Sequence, residues 1–269
     1  MAIHSTAIIA AGAKISDYAN VGPYCIIGEN VILEDGVNLH SHVCVDGHTR
    51  VGANTEIFPF ASIGKRPQDL KYSGEASTLV IGKNNVIREY VTIHPGTAAG
   101  CMETVVGDNC LIMIGVHIAH DCRVGSNVIL SNNASLAGHV EVGDGAILGG
   151  MTGFRQFVRI GRGAMIGGGS MVDADVIPYG NVSGERASLA GLNIVGMKRR
   201  DVPKEDIQQV MKAFKDVFNS DEETLEERLH KVCANNGTND MIMEIVTFIK
   251  ESGGKVALCM PRSRQNIEG

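Results

Sequence analysis

Tryptophan is absent from this chain of 269 residues, and aromatic residues make up only 4% of it. Ordinary globular cores lean on large rings, so this one must be filled by aliphatic side chains. No apolar run is long enough to span a bilayer, and no signal peptide is visible because a repeat begins at Ile3. Positive charge is also short. The 24 Lys and Arg against 30 Asp and Glu leave a net charge of −6, which speaks against a general nucleic-acid binder but leaves room for a local basic patch. Only seven prolines accompany 33 glycines, and no three-residue period is present, which excludes collagen and points to many turns. The seven cysteines form no framework. Cys25, Cys110 and Cys122 share the phase of the repeat, as small buried residues would, so the thiols read as reduced and the protein as cytoplasmic.

What is present is a period of six. Counting from Ile3 gives Ile9, Ile15, Val21, Ile27, Leu33, Leu39, Val45, Val51, Ile57 and Ile63, all aliphatic. Four positions after each stands a small residue, as at Ala7, Ala13, Ala19, Cys25 and Val31. Neither a 3.6-residue helix nor a two-residue strand explains a strict six. A solenoid does, if each hexad makes a short strand and a turn and three hexads close a triangular coil. One aliphatic and one small side chain per hexad then face the narrow interior. Glycines that follow the aliphatic residue, as at Gly22, Gly28, Gly52 and Gly64, are expected to serve the turns. The fold class is an all-β solenoid plus α, a parallel β-helix of about ten coils.

The phase breaks over about 64–80, where Pro67, Gln68, Asp69, Leu70, Lys71 and Tyr72 interrupt the beat. It resumes at Ile81, breaks again over about 98–105, and restarts one residue out of phase at Val106. Such excursions tend to carry binding residues. The beat then runs to Val172, with Phe154 its only large member. We divide the chain into a prism over 1–190 and, over 191–269, a connecting segment with three short helices. The first helix carries Ile207, Val210, Phe214, Val217 and Phe218 on one face, and the second starts from Asp221-Glu222-Glu223. Asn239-Asp240 caps the third, and the tail from Ser252 is expected to be ragged.

Residues eighteen apart stack in such a coil. His120 then lies beneath Gly138 and Asp121 beneath His139, with His117 close to a corner. Two chemistries fit this cluster. A histidine beside a carboxylate is the usual general base, because an imidazole titrates near neutrality and an acid can set its tautomer. Adjacent strand residues face opposite ways, however, so whether Asp121 orients His120 stays open. The Gly138 amide is a candidate oxyanion donor. Alternatively, histidines on neighbouring coils could hold zinc, as in hexapeptide-repeat carbonic anhydrases, although the spacings here differ. We therefore expect no metal and no cofactor. No serine nearby has a nucleophile-elbow context, which favours direct attack by a substrate hydroxyl or amine. Lys198-Arg199-Arg200 is either a solvated basic run or a phosphate site, since arginine's planar fork suits phosphate.

Five motifs, in order, resemble the UDP-N-acetylglucosamine O-acyltransferase family over almost the whole length. They are Pro67-Gln68-Asp69-Leu70-Lys71-Tyr72, Val91-Thr92-Ile93-His94, His117-Ile118-Ala119-His120-Asp121, Leu136-Ala137-Gly138-His139, and the stretch from Gly191-Leu192-Asn193-Ile194 to Arg200. The resemblance implies a left-handed prism and a homotrimer with active sites between subunits. It implies transfer of an (R)-3-hydroxyacyl chain from acyl carrier protein to the 3-hydroxyl of UDP-GlcNAc, which opens lipid A synthesis. By the same likeness His120 is the general base and Gly138 the oxyanion donor. Gln68, Asp69 and Lys71 would hold the hydroxyacyl group and sugar, and His94, His117, His139 and Gln156 would line the cleft. Asn193 and Arg200 would meet the nucleotide, and Arg199 a phosphate or the carrier. Gly168 matches the position that sets acyl length, and a glycine there leans towards a longer chain of about fourteen carbons.

Two positions depart from the family pattern: Arg155 stands where histidine is common, and Val195 where glutamate is. Two rivals remain. The later N-acyltransferase of the pathway normally carries an extra N-terminal domain, whereas this prism starts at Ile3. A non-catalytic prism would show threonine ladders on a flat face, whereas here the histidines cluster.

Overall fold

The structure is a computed structural model that describes residues 2–218, 223–252, 254 and 256–262. Strands of two to four residues stack in parallel into three walls that close a left-handed β-helix. Each coil crosses the first, second and third walls in turn, as at Leu111–Ile112, His117–Ile118 and Arg123–Val124. Side chains eighteen apart lie in register, so that Ile112 pairs with Leu130 and Leu130 with Leu148. The aliphatic beat is the core: Ile27, Ile57, Ile63, Ile87, Ile112, Ile118 and Leu130 are all buried. The small residues Ala19, Cys25, Val31, Ala134, Ala146 and Ala164 are buried with them.

The lengths of the two excursions explain the phase. Ser62 pairs with Thr92, and the inserted chain amounts to two whole hexads, so the beat resumes in step. Thr92 pairs with His117, one residue more than a hexad beyond the ordinary coil, and the beat slips by one. Both excursions leave the same edge, between the second and third walls. One runs from after Ile63 to before Thr78, the other from after Ile93 to before Glu103.

The expectation about glycine needs correction. Most of the left-handed corner positions are taken by other residues, including Tyr24, His42, Asn54, Phe60, Tyr90, Asp121, His139 and Met151. At the corner between the first and second walls the rings of Tyr24, His42, Phe60 and Tyr90 stack at 4.9, 5.1 and 5.3 Å, which offsets part of the backbone strain. Of the four glycines named after the aliphatic beat, Gly64 is left-handed (φ 76°), whereas Gly22, Gly28 and Gly52 serve close approach. A Cβ on Gly52 would lie 2.5 Å from the carbonyl of Gly82 in the next coil.

After Pro178 the chain forms an antiparallel hairpin, Gly180–Ser183 with Ser188–Leu192, that extends the first wall. The expected boundary at 190 falls inside this hairpin. Among the described residues four helices follow rather than three: α1 (Ile194–Arg199), α2 (Lys204–Phe218), α3 (Leu225–Asn236) and α4 (Asp240–Lys250). Asp221 and Glu222 lie outside the described residues. Thr224 caps α3 through a reciprocal capping box with Glu227, and Asn239 caps α4. Ile207, Val210, Leu229, Val232, Ile242 and Ile249 turn inward, as the 3.6-residue period requires. The segment beyond Ser252 is not ragged where it is described. Ala257 and Cys259 bracket Asp175 with hydrogen bonds of 2.8 Å, and Val256 and Cys259 are buried.

The two roles of small and left-handed residues are separable by mutation. Gly52→Ala should destabilise the protein by about 2 kcal/mol, because the new methyl meets fixed backbone. Met151→Gly should stay within about 1 kcal/mol of wild type, since relief of left-handed strain balances added chain entropy. Denaturant unfolding of both variants checks this.

Candidate active site

The edge from which both excursions leave also carries the histidines. His120 and Asp121 are consecutive turn residues at that corner, Asp121 with φ 58°. Strand alternation therefore does not apply to them, and their side chains meet. His120 Nδ1 and Asp121 Oδ2 are 2.8 Å apart, both side chains buried. One coil on, Gly138 lies over the imidazole: a Cβ there would come 2.6 Å from Cε1 and 2.7 Å from Nε2 of His120. Among the described residues the Gly138 amide donates to no acceptor. His139 is edge-on to His120 at 5.1 Å and stacks on Phe157 at 4.5 Å. His117 sits on the flat second wall rather than near a corner, with Nδ1 2.7 Å from Thr92 Oγ1. His94 stands edge-on to His117 at 5.1 Å.

Charge on this edge is tightly controlled. Burial alone would push the Asp121 carboxyl up, but hydrogen bonds from Thr97, His120 and the Cys101 amide outweigh it and hold the group below its ordinary value. Asp121 is thus a carboxylate with acceptors only, so the proton of its bond to His120 belongs to Nδ1. That leaves Nε2 as the lone-pair nitrogen, under Gly138. Burial, reinforced by the nearby His117 and His120, depresses His94 to about 4. Burial and His120 likewise lower His117. His120, Asp121 and His139 lie close enough to hold a metal. Each Asp121 oxygen already accepts two hydrogen bonds, however, so a cation would have to displace donors. The arrangement suits proton transfer.

Two hollows flank the edge. One, of about 510 Å³, opens beside Asp121, His139 and Phe157 on the side of the third wall. The other, of about 650 Å³, runs over the second wall from His117 past Ser135 and Gly153 to Met171, with Arg155 at its side. Asp121 and His139 line the first hollow and His117 the second, so the two meet the dyad's neighbours on opposite sides of the edge.

Comparison with known proteins agrees with this geometry. A family model described as UDP N-acetylglucosamine O-acyltransferase, domain 2, matches residues 175–256. One described as bacterial transferase hexapeptide (six repeats) matches residues 103–138. The acyl-[acyl-carrier-protein]–UDP-N-acetylglucosamine O-acyltransferase of Rickettsia rickettsii is 56% identical over 257 residues, covering 96% of this chain and 97% of its own. The enzyme of the same name from Methylobacterium radiotolerans is 61% identical over 206 residues, 77% of this chain and 75% of its own. This chain belongs to the UDP-N-acetylglucosamine O-acyltransferase family. A crystal structure of a UDP-N-acetylglucosamine acyltransferase, 44% identical, superposes with a TM-score of 0.93 over 98% of this chain and 100% of that one. The Moraxella catarrhalis LpxA structure, 41% identical, also gives 0.93, over 96% and 100%.

Within the single chain of this O-acyltransferase the expected site residues do not all converge. His94, His117, His120, Asp121, Gly138 and His139 do. Gln156 is exposed one coil above Gly138 on the same edge. Gln68, Asp69 and Lys71 lie in the first excursion, where Asp69 accepts from the Lys71 amide at 2.9 Å and Gln68 and Lys71 face solvent. Gly168 is exposed at the corner between the first and second walls. Asn193 and Arg200 both hydrogen-bond the carbonyl of Gly163, at 3.0 and 3.3 Å, on the corner between the third and first walls. Asn193 is also the N-cap of α1, accepting from Gly196, so its amide is engaged inside the protein. Arg199 is exposed at the end of α1. Sequence reasoning missed Thr97 and Cys101, which hold Asp121. Extending the stacking count across the seven extra residues of the second excursion would have brought that loop over Asp121.

His94 gives a pH signature. The unfolded chain protonates it near 6.5, whereas the folded protein resists until about 4. Native stability should therefore fall as pH drops through that window. Denaturant unfolding at pH 7, 6 and 5 should show the decline in wild type and a shallower one in His94→Asn.

Proposed function

We propose that His120 is the general base of the family's reaction in this protein: transfer of an (R)-3-hydroxyacyl chain from acyl carrier protein to the glucosamine 3-hydroxyl of UDP-GlcNAc, the first step of lipid A biosynthesis. The observation that carries the mechanism is the 2.8 Å bond between His120 Nδ1 and a carboxylate that stays ionised. Nε2 takes the proton of the 3-hydroxyl as its oxygen attacks the carbonyl carbon of the carrier thioester. The new C–O bond leaves negative charge on the carbonyl oxygen, towards which the unpaired Gly138 amide can donate. Collapse breaks the C–S bond, and the departing thiolate recovers the proton from the imidazolium, which Asp121 has stabilised in the meantime. No covalent enzyme intermediate is needed.

The remaining assignments need a second protomer. The expected binding residues occupy all three edges of the prism, and a single convex prism cannot bring its own edges together. A homotrimer can, by laying one protomer's edge against the neighbour's wall. The tip of the first excursion supports this, because Leu70 is fully exposed between Asp69 and Lys71. In this arrangement Gln68, Asp69 and Lys71 reach the hydroxyacyl group and sugar held at the edge of His120, and His94, His117, His139 and Gln156 line the cleft. Arg199 and Arg200 meet the phosphates or the acidic carrier, Asn193 holds α1 in place beside them, and Gly168 leaves room for a long acyl chain. The seven cysteines are free, which supports a reducing, cytoplasmic setting. Among the described residues no helix is long and apolar enough to cross a membrane.

Acyl transfer from a carrier-bound 3-hydroxyacyl chain to UDP-GlcNAc tests this reading. His120→Ala should lose ~10²-fold or more in kcat, and full rate in that variant would sink the mechanism. Gly138→Ala should lose comparable activity, because its methyl displaces the imidazole. Light scattering should report a trimer for wild type and a smaller species for Leu70→Asp.

A further inference from the structure

The grip on Asp121 comes mainly from outside the repeat. Its Oδ1 accepts from the Thr97 amide at 3.2 Å and the Cys101 amide at 2.8 Å, and its Oδ2 from the Thr97 hydroxyl at 2.7 Å and His120 Nδ1 at 2.8 Å. All but the last belong to the second excursion. Gly100 lets that loop close on the carboxylate, since a Cβ there would stand 2.3 Å from it. The excursion is tied in turn to the first one: the Ala98 amide donates to Glu75 Oε1 at 2.8 Å, and the Ser73 amide to Oε2 at 2.9 Å. Thr97 and Ala98 are adjacent, so a tie on one side of the peptide fixes the donor on the other. Besides His120, the prism contributes the bond from the Asp121 amide to Thr104 Oγ1 at 2.8 Å.

We propose that the second excursion is a carboxylate clamp, with Thr97 a positioning residue for the acyl transfer and Glu75 the anchor that ties the clamp to the first excursion. The clamp rests on the reading of His120 as the base. It has two effects. Hydrogen bonds from an amide and a hydroxyl favour the ionised form of a buried carboxyl, which keeps Asp121 an acceptor and His120 in its Nδ1–H tautomer. They also hold the carboxylate in one orientation, so that its Oδ2 stays on His120 Nδ1. Because Glu75 lies in the loop that also carries Asp69 and Lys71, the same tie couples the placement of that loop to the dyad.

The pH dependence of kcat separates this role from simple scaffolding. Thr97→Val removes the hydroxyl donor with little change of shape. Protonation of the His120–Asp121 pair then becomes easier whichever partner takes the proton, so the acid limb of the profile moves to higher pH, by about half a unit to one unit. We expect kcat at its plateau to fall about tenfold, with KM for UDP-GlcNAc within twofold, and Thr97→Ser to restore both rate and limb. Assays use (R)-3-hydroxytetradecanoyl carrier protein and the full-length enzyme. A folded Thr97→Val variant whose acid limb coincides with wild type overturns the proposal, whatever its rate. Should that variant fail to fold, Glu75→Ala decides: it leaves Thr97 in place, cuts the tie to Ala98, and must shift the limb in the same direction. An unmoved limb in folded Glu75→Ala also overturns it. Failure of the base reading would show elsewhere, as a His120→Ala enzyme that retains its rate.

Discussion

Backbone amides of each coil donate to carbonyls of the next, as from Leu111 to Val128 and from His117 to Ala134, both at 3.0 Å. This ladder holds side chains of equal phase directly over one another. Three walls meeting at acute corners leave room inside for one aliphatic and one small residue per hexad, which is why the core does without tryptophan. The same stacking removes space where a coil passes close to its neighbour, and glycine at positions such as Gly52 answers to that contact rather than to a turn. Corners between walls are left to residues whose side chains stack or hydrogen-bond outward, with the left-handed strain offset by contacts along the edge.

A ladder of this kind tolerates inserted chain only at a corner, because an insertion within a wall would break the pairing of both neighbours. Both excursions emerge at one edge, and the dyad lies just above them on that edge. The second excursion wraps the carboxylate of Asp121, the first reaches outward with Asp69 and Lys71, and Glu75 joins the two. Chemistry has been added to the prism where its regularity could be interrupted without loss of hydrogen bonds. The walls then fix how His120, Gly138 and His139 stand to one another, since each is locked one coil from the next.

Much of this was legible in the residues. The hexad beat gave the prism and its core, and eighteen-residue stacking placed Gly138 over His120 and His139 over Asp121. Motifs in the excursions and after the prism pointed to the family. The helices α2 and α4 followed from their 3.6-residue faces. Less legible were features made by non-periodic contacts: the hairpin after Pro178, helix α1, and the final segment that packs along Asp175. Nothing in the local pattern of the final segment distinguishes it from a connecting stretch, because its partner, Asp175, is far away in sequence.

Composition and periodicity alone determined that the chain is a narrow, aliphatic solenoid with histidines gathered in phase, because a strict period leaves few ways to bury one aliphatic and one small side chain in every six. Only the tertiary structure decided that His120 and Asp121 share a corner, where alternation lapses and adjacent side chains can touch. It also decided that Thr97 and Cys101 close over the carboxylate. Hydrogen bonds made by an inserted loop depend on how that loop folds back, and the repeat that organises the rest of the chain does not specify it.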